Sequence, residues 1–370
     1  MALPATWMTS MTRTTTKHTI NFGSGPAALP AEVLQQASEA IVSYNNTGLS
    51  ILEIPHRGKH FSEILEESKQ LVRDICGIGS DYEVLWLPGG GRLQFSMIPM
   101  NFLGEKETAG YIDSGHWSAE AMEYAEYYGK VSLLASSKES GYKSLPLLSA
   151  QYPDDLTYVH YTTNNTIYGT QWNEEPKTSA PLIADMSSDI LSKRTDYSRY
   201  AMFYACAQKN IGPAGVALAV IHKDLLAKSK RELQPMMSYA AHAAKNSVLN
   251  TPPVFAIYTS MLTLRWTKAK GIAAIEKENE EKAGLLYAEL ERNSAFTLRV
   301  AEAAHRSKMN VCFNAKDAAT ENAFVALCAQ HNITGIEGHR TVGGLRVSLY
   351  NAVTTDQVKA LVNVMKEFEK

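Results

Sequence analysis

The sequence has little of what commits a chain to an unusual environment. Only four of its 370 residues are cysteines, Cys76, Cys206, Cys312 and Cys328. None forms a C-x-x-C pair and each lies in an apolar stretch. That excludes a disulfide scaffold and reads as reduced, buried thiols in a reducing compartment, the cytoplasm. No apolar run approaches the roughly 18 residues that a transmembrane helix needs; the longest lies near Val216 to Ile221. A membrane partner is therefore not expected. Neither sign of charge dominates: 36 Lys and Arg stand against 38 Asp and Glu, a formal net charge of −2. Without a basic block, nothing argues for nucleic acid, and any anion site must be built locally. No G-K-[ST] follows the triple glycine at 89–91, so there is no Walker loop. No H-E-x-x-H occurs, and the i, i+4 pair His56 and His60 with Glu53 nearby lacks a ligand cluster, so no metal is expected. A G-x-S-x-G elbow, internal repeats and low-complexity tracts are missing too.

What is present is an α/β text, short apolar runs alternating with longer amphipathic ones. Helices are predicted over 30–43, with Val33, Leu34, Ala37 and Ile41 inward, and over 61–75 and 93–102. Strands are predicted over 82–87, 157–161, 182–184, 201–206 and 216–221. Beyond Pro252-Pro253 come two long helices, 254–268 and 272–292, then strands at 309–313 and 345–350. Thr354-x-x-Gln357 has the form of a capping box opening a last helix. The expectation is a large domain over 21–277 with a mainly parallel sheet, and a small C-terminal α+β domain over 278–370. Residues 1–20 read as an N-terminal arm, disordered or loosely docked. In parallel sheets, ligands gather outside the carboxyl ends of the strands.

Several of those ends carry chemistry. Lys209 follows a buried apolar run, where an amine is costly unless neutralised; desolvation depresses a lysine pKa, which suits a nucleophile that forms an imine. The bland alternative is a lysine at a strand end that reaches solvent. Asp185 ends the preceding apolar run and could share a crevice with Lys209, although it could equally cap the turn at Met186-Ser187-Ser188. A lysine to form the imine and a carboxylate to keep a pyridine nitrogen protonated are the minimal pyridoxal 5′-phosphate site. Gly89-Gly90-Gly91-Arg92, between a strand and a helix, can cradle a phosphate on backbone N–H groups, or can be only a tight turn. The His56-Arg57 and His339-Arg340 dipeptides supply forked and titratable cations that suit a substrate anionic at both ends; taken alone they also read as solvated surface charge. Gly23-Ser24-Gly25-Pro26-Ala27-Ala28 fits a loosened dinucleotide pattern, but the run before it is short and polar, and Pro26 interrupts the turn.

These residues fall within motifs that stand in order from about Asn21 to the C-terminus: Asn21-Phe-Gly-Ser-Gly-Pro-Ala; Pro55-His-Arg-Gly-Lys59; Gly89-Gly-Gly-Arg92; Asp113-Ser-Gly-His-Trp117; Thr166-Ile-Tyr-Gly169; Asp185-Met-Ser-Ser188; Ala207-Gln-Lys-Asn-Ile-Gly-Pro-Ala-Gly215; Asn250-Thr-Pro-Pro253; Ser307-Lys-Met-Asn310; and Gly338-His-Arg-Thr-Val-Gly-Gly-Leu-Arg346. Together they resemble the phosphoserine aminotransferase family, within the fold-type I pyridoxal-phosphate enzymes. The resemblance implies that Lys209 carries the cofactor as a Schiff base, Asp185 meets its ring nitrogen, Trp117 stacks on the ring and Thr166 bonds the ring hydroxyl. It implies that Gln208, Gly91 and Arg92 meet the cofactor phosphate, joined from a second subunit by Asn250 and Thr251. His56 and Arg57 of the second subunit, with His339 and Arg340, would hold the substrate phosphate; Ser24 and Arg346 would hold the α-carboxylate, and Arg92 would also bind substrate. The implied protein is a homodimer with shared sites. It would interconvert 3-phosphoserine and 2-oxoglutarate with 3-phosphohydroxypyruvate and glutamate; whether 4-phosphohydroxythreonine is also a substrate is left open by the sequence.

Three positions depart from the family pattern. Asn165 stands where an acidic residue is expected, Tyr168 replaces a more usual polar residue, and Pro55 replaces a small polar one. Rival readings are an aminotransferase of alanine–glyoxylate or serine–pyruvate type, which needs no phosphate pocket, a non-catalytic pyridoxal-phosphate regulator, and a nucleotide-dependent oxidoreductase.

Overall fold

A computed structural model of the chain describes residues 19–149 and 151–370. The expected arm at 1–18 lies outside them. Seven strands form the central sheet, in the order Tyr82–Pro88, Val216–His222, Met202–Cys206, Leu182–Asp185, Val159–Thr162, Thr108–Asp113, Lys130–Ser136. Val216–His222 runs antiparallel to both its neighbours, and the other contiguous pairs are parallel. Five strands therefore deliver Pro88, Asp113, Thr162, Asp185 and Cys206 to one edge.

Alternation along these strands builds two cores. Leu85, Leu87, Tyr111, Ile183, Tyr204, Ala219 and Ile221 face one side, with the helices Gly91–Phe102 and His116–Ala125. Val84, Trp86, Ile112, Ala184, Phe203 and Leu218 face the other, against helices Ala31–Val42, Lys59–Cys76 and Val254–Lys270. A third core lies around an antiparallel sheet of Phe296–Leu298, Asn310–Ala315 and Leu345–Ser348. The helices Ile272–Arg292, Ala318–Gln330 and Thr355–Phe368 cover it, and Phe22 joins it from the start of the chain. Ile20–Asn21 pairs in parallel with Ile333–Thr334, which carries the first described residues onto this second unit.

The capping box forms: Gln357 N donates to Thr354 Oγ1 at 3.3 Å and Thr354 N to Gln357 Oε1 at 3.0 Å. The 30–43 helix also forms, as Ala31–Val42, but its expected inward face is only half right. Val33, Ala37 and Ala40 are buried, whereas Leu34 and Ile41 are exposed at 52% and 41%. The small alanines allow close packing, and the larger aliphatics are left facing out. Four elements carry weaker sequence signals. Thr108–Asp113 is interrupted by Gly110, Lys130–Ser136 is a half-exposed edge strand, His116–Ala125 is short, and Ala318–Gln330 has almost no amphipathic bias.

Candidate active site

A cavity of about 330 Å3 opens at the carboxyl edge of the large sheet, against the second unit. Its lining includes Ser24, Gly91, Arg92, Trp117, Thr166, Asp185, Gln208, Lys209, His339 and Arg346. Ten separately read positions thus meet in one place because parallel strands end together and their loops fold over the same edge.

Asp185 is the last residue of its strand, and its neighbouring strand, Met202–Cys206, leads into Lys209. Asp185 is buried, and its Oδ1 accepts from Ser187 N at 2.9 Å. Burial raises its pKa, while the Ser187 and Lys209 groups and the Tyr204 hydroxyl pull it down. Lys209 departs from expectation. Burial does push its ammonium down, but Cys206, Tyr350 and the Asp185 carboxylate outweigh that and hold it above the ordinary lysine value. The desolvation argument omitted the acid groups that the fold brings alongside. Gly25 crosses the lysine at φ +132°, a backbone angle that favours glycine.

Opposite lies the glycine turn. Gly89, at φ +95°, swings the strand into the helix Gly91–Phe102, whose first residues, Gly91 and Arg92, line the cavity and leave the unpaired N–H groups of a helix start there. Arg92 Nε donates to Glu120 Oε1 at 2.8 Å, and its guanidinium lies 5.3 Å from the Trp117 ring centre. Trp117 Nε1 donates to Thr166 Oγ1 at 3.1 Å, which fixes the indole plane. Arg346 donates to the Thr166 carbonyl at 3.1 Å. Thr341 N donates to His339 Nδ1 at 3.3 Å, which leaves Nε2 as the donor of the neutral ring. Burial, Arg346, His116 and Arg340 lower the His339 pKa.

Five predicted residues stay out of this cavity. His56 is half-buried and Arg57 exposed on the turn before helix Lys59–Cys76. Asn250 donates to the Thr251 carbonyl at 3.1 Å and keeps a buried Oδ1 without a hydrogen-bond partner. Thr251 is exposed, as is Arg340 beside His339. Conversely, a polar relay joins the motif residues Ser24, Ser188 and Asn310 through Asn164 and Tyr350, which no motif contained. Asn164 donates to Ser188 Oγ and to Asn310 Oδ1, each at 2.8 Å. Asn310 in turn donates to Tyr350 Oη at 3.2 Å, and Tyr350 donates to the Ser24 carbonyl at 3.0 Å. The pairs Asn164–Asn310 and Tyr350–Ser24 are distant in sequence, so no local pattern signals these contacts. The variant Asn165 donates to Ser114 Oγ at 3.1 Å and Thr170 Oγ1 at 3.0 Å, beside the turn that leads into the helix carrying Trp117. Tyr168 packs on Tyr142, ring centres 4.7 Å apart, and Arg299 lies over it at 5.2 Å. Pro55 accepts from Gly58 N at 2.9 Å, closing the turn that presents His56 and Arg57.

The sequence profile of the family Aminotransferase class-V matches residues 19–361. The chain belongs to the class-V aminotransferases. This class-V aminotransferase is 45% identical over 351 residues to a phosphoserine aminotransferase of Flavobacterium johnsoniae, covering 94% of this chain and 98% of that one. The solved phosphoserine aminotransferase of Bacillus circulans subsp. alkalophilus superposes with a TM-score of 0.92 at 40% identity, over 95% of this chain and 98% of that chain. The PLP-bound phosphoserine aminotransferase of Trichomonas vaginalis does so with a TM-score of 0.87 at 34% identity, over 94% and 100%. The mainly parallel, helix-flanked sheet of the class-V aminotransferase is thus the fold of these enzymes.

Proposed function

We propose that the protein is a phosphoserine aminotransferase that moves an amino group between 3-phosphoserine and 2-oxoglutarate, with pyridoxal 5′-phosphate as cofactor. The observation that carries this is one cavity holding an amine, a buried carboxylate, an indole face and a helix N-terminus, with Arg346 and His339 beyond them. The donor set fits the cofactor: an acid for a ring nitrogen, an aromatic plane for a flat ring, and N–H groups for a phosphate.

When bound, the cofactor supplies a carbonyl carbon for the amino group and a protonated ring that takes up the electron pair released at Cα. Asp185 holds the proton on the ring nitrogen. Trp117, braced by Thr166, covers one ring face. The N–H groups at Gly91 and Arg92, with the Gln208 side chain, receive the cofactor phosphate. Lys209 Nζ would hold the cofactor between turnovers, and as a free amine it would take the proton from the substrate Cα and deliver it, on the same face, to the cofactor carbon that bears the amino group. Arg346, with Ser24, holds the α-carboxylate so that the Cα–H bond points at that amine. His339 and Arg340 receive the phosphate.

We also infer a homodimer with shared sites. Leu34, Ile41, Val42, Leu49 and Leu52 are all exposed on one stretch of chain, and Val42 reaches 81%. An apolar patch of this kind seeks a partner. The predicted residues His56, Arg57, Asn250 and Thr251, outside their own chain's cavity, are then available to the cavity of a second copy. Cytoplasmic residence is favoured by the four buried free thiols.

Arg340→Ala tests the phosphate assignment. It is expected to raise KM for phosphoserine by about tenfold, as loss of a charged hydrogen bond does, and to affect serine far less. Equal loss for both amino acids would refute the assignment.

A further inference from the structure

We propose that His116 is a further specificity-determining residue, gripping the substrate phosphate together with His339; this rests on the phosphoserine reading above. His116 opens the helix His116–Ala125 directly before Trp117, which lines the cavity, and its side chain is 36% exposed. Its ring centre lies 4.8 Å from that of Trp117 and 6.3 Å from that of His339, which lines the cavity. Two N–H···O bonds of about 2.9 Å, one from each ring, can close such a gap through the oxygens of one phosphate.

Glu120 prepares the ring for this. Its Oε1 takes Arg92 Nε at 2.8 Å, while its Oε2 is buried without a hydrogen-bond partner and lies 3.9 Å from His116 Nε2. A charged imidazole carries a proton on both nitrogens. One can turn to the waiting Glu120 oxygen, and the other is left for the incoming anion. Glu120 also draws on the Arg92 charge from that side. A second ring therefore adds to a phosphate grip that Arg92 cannot provide alone.

The test is steady-state kinetics of the full-length holoenzyme and of His116→Phe, which keeps a ring against Trp117 and removes both N–H groups. Inorganic phosphate is included as a competitive inhibitor. The expected result is a rise of about tenfold in KM for phosphoserine and in Ki for phosphate, the size of one lost charge-assisted bond. The values of kcat and of KM for glutamate should stay within about twofold. His116→Asn, which returns one donor, should recover part of the loss. Unchanged phosphoserine KM overturns the proposal, and so does an equal rise in glutamate KM, which would mark His116 as a support for Trp117. A wild-type protein that ignores phosphoserine overturns the reading beneath the proposal. An active wild type with an unaffected variant overturns the proposal alone.

Discussion

Lys209 and Asp185 reach the same cavity because adjacent parallel strands end beside each other. The pairing of Ala184 with Phe203 and of Asp185 with Tyr204 sets that register. Replacing Lys209 by Ala should abolish turnover and the visible absorbance of lysine-bound cofactor; a yellow, active variant would refute the assignment. Asp185→Asn keeps the shape and loses the carboxylate that holds the ring proton. It should still bind cofactor, with kcat lowered by about a hundredfold or more, in a single-turnover assay; near-normal kcat would show that the carboxylate is dispensable. Both residues were legible as polar groups that end apolar runs. The sign of the Lys209 shift was not, because it depends on Cys206, Tyr350 and Asp185 gathering around one amine. The links made by Asn310 and Tyr350 were not legible, for a similar reason. Their roles come from contacts with Asn164 and Ser24, far away in sequence.

Elements were legible where local pattern and burial agree. The capping box at Thr354 and the glycine turn at 89–91 are local signals, and both form. Helix Ala31–Val42 shows the limit of periodicity, since Leu34 and Ile41 fit an inward stripe and yet face out. Within Ile272–Arg292, Lys282 is fully buried and donates to the carbonyls of Leu349, Tyr350 and Val353 at 3.1, 3.0 and 2.8 Å. It ties the helix to the segment that follows strand Leu345–Ser348. Lys282→Met leaves those carbonyls without a donor and should destabilise the fold by about 2–4 kcal/mol in urea unfolding; an unchanged midpoint would deny the tie. Burial pulls Lys282 down to about 7, against roughly 10.4 for an unfolded lysine. Between those values the unfolded chain binds more protons, so this group makes stability rise with pH across that window. Below about pH 7 both states are charged and its penalty is constant. Urea unfolding of the wild type from pH 7 to 10 should carry that upward slope, and Lys282→Met should lack it; identical slopes would contradict the account.

At the scale of the whole molecule, the proposed site needs two chains. Mixed dimers of Lys209→Ala and Arg57→Ala subunits are expected to regain activity. One of the two cavities then has an intact lysine and receives an intact Arg57 from across the interface. No recovery on mixing, with mixed dimers present by native mass spectrometry, would place Arg57 in its own chain's service. The central claim, an amine and a phosphate grip in one cavity, is tested most directly by a half-reaction. The yellow holoenzyme is mixed with phosphoserine, and separately with serine at the same concentration, and the visible band is followed. The account predicts that phosphoserine alone discharges the band efficiently. Equal conversion by serine would remove the phosphate specificity, and a protein that develops no such band when pyridoxal 5′-phosphate is supplied would contradict the role given to Lys209.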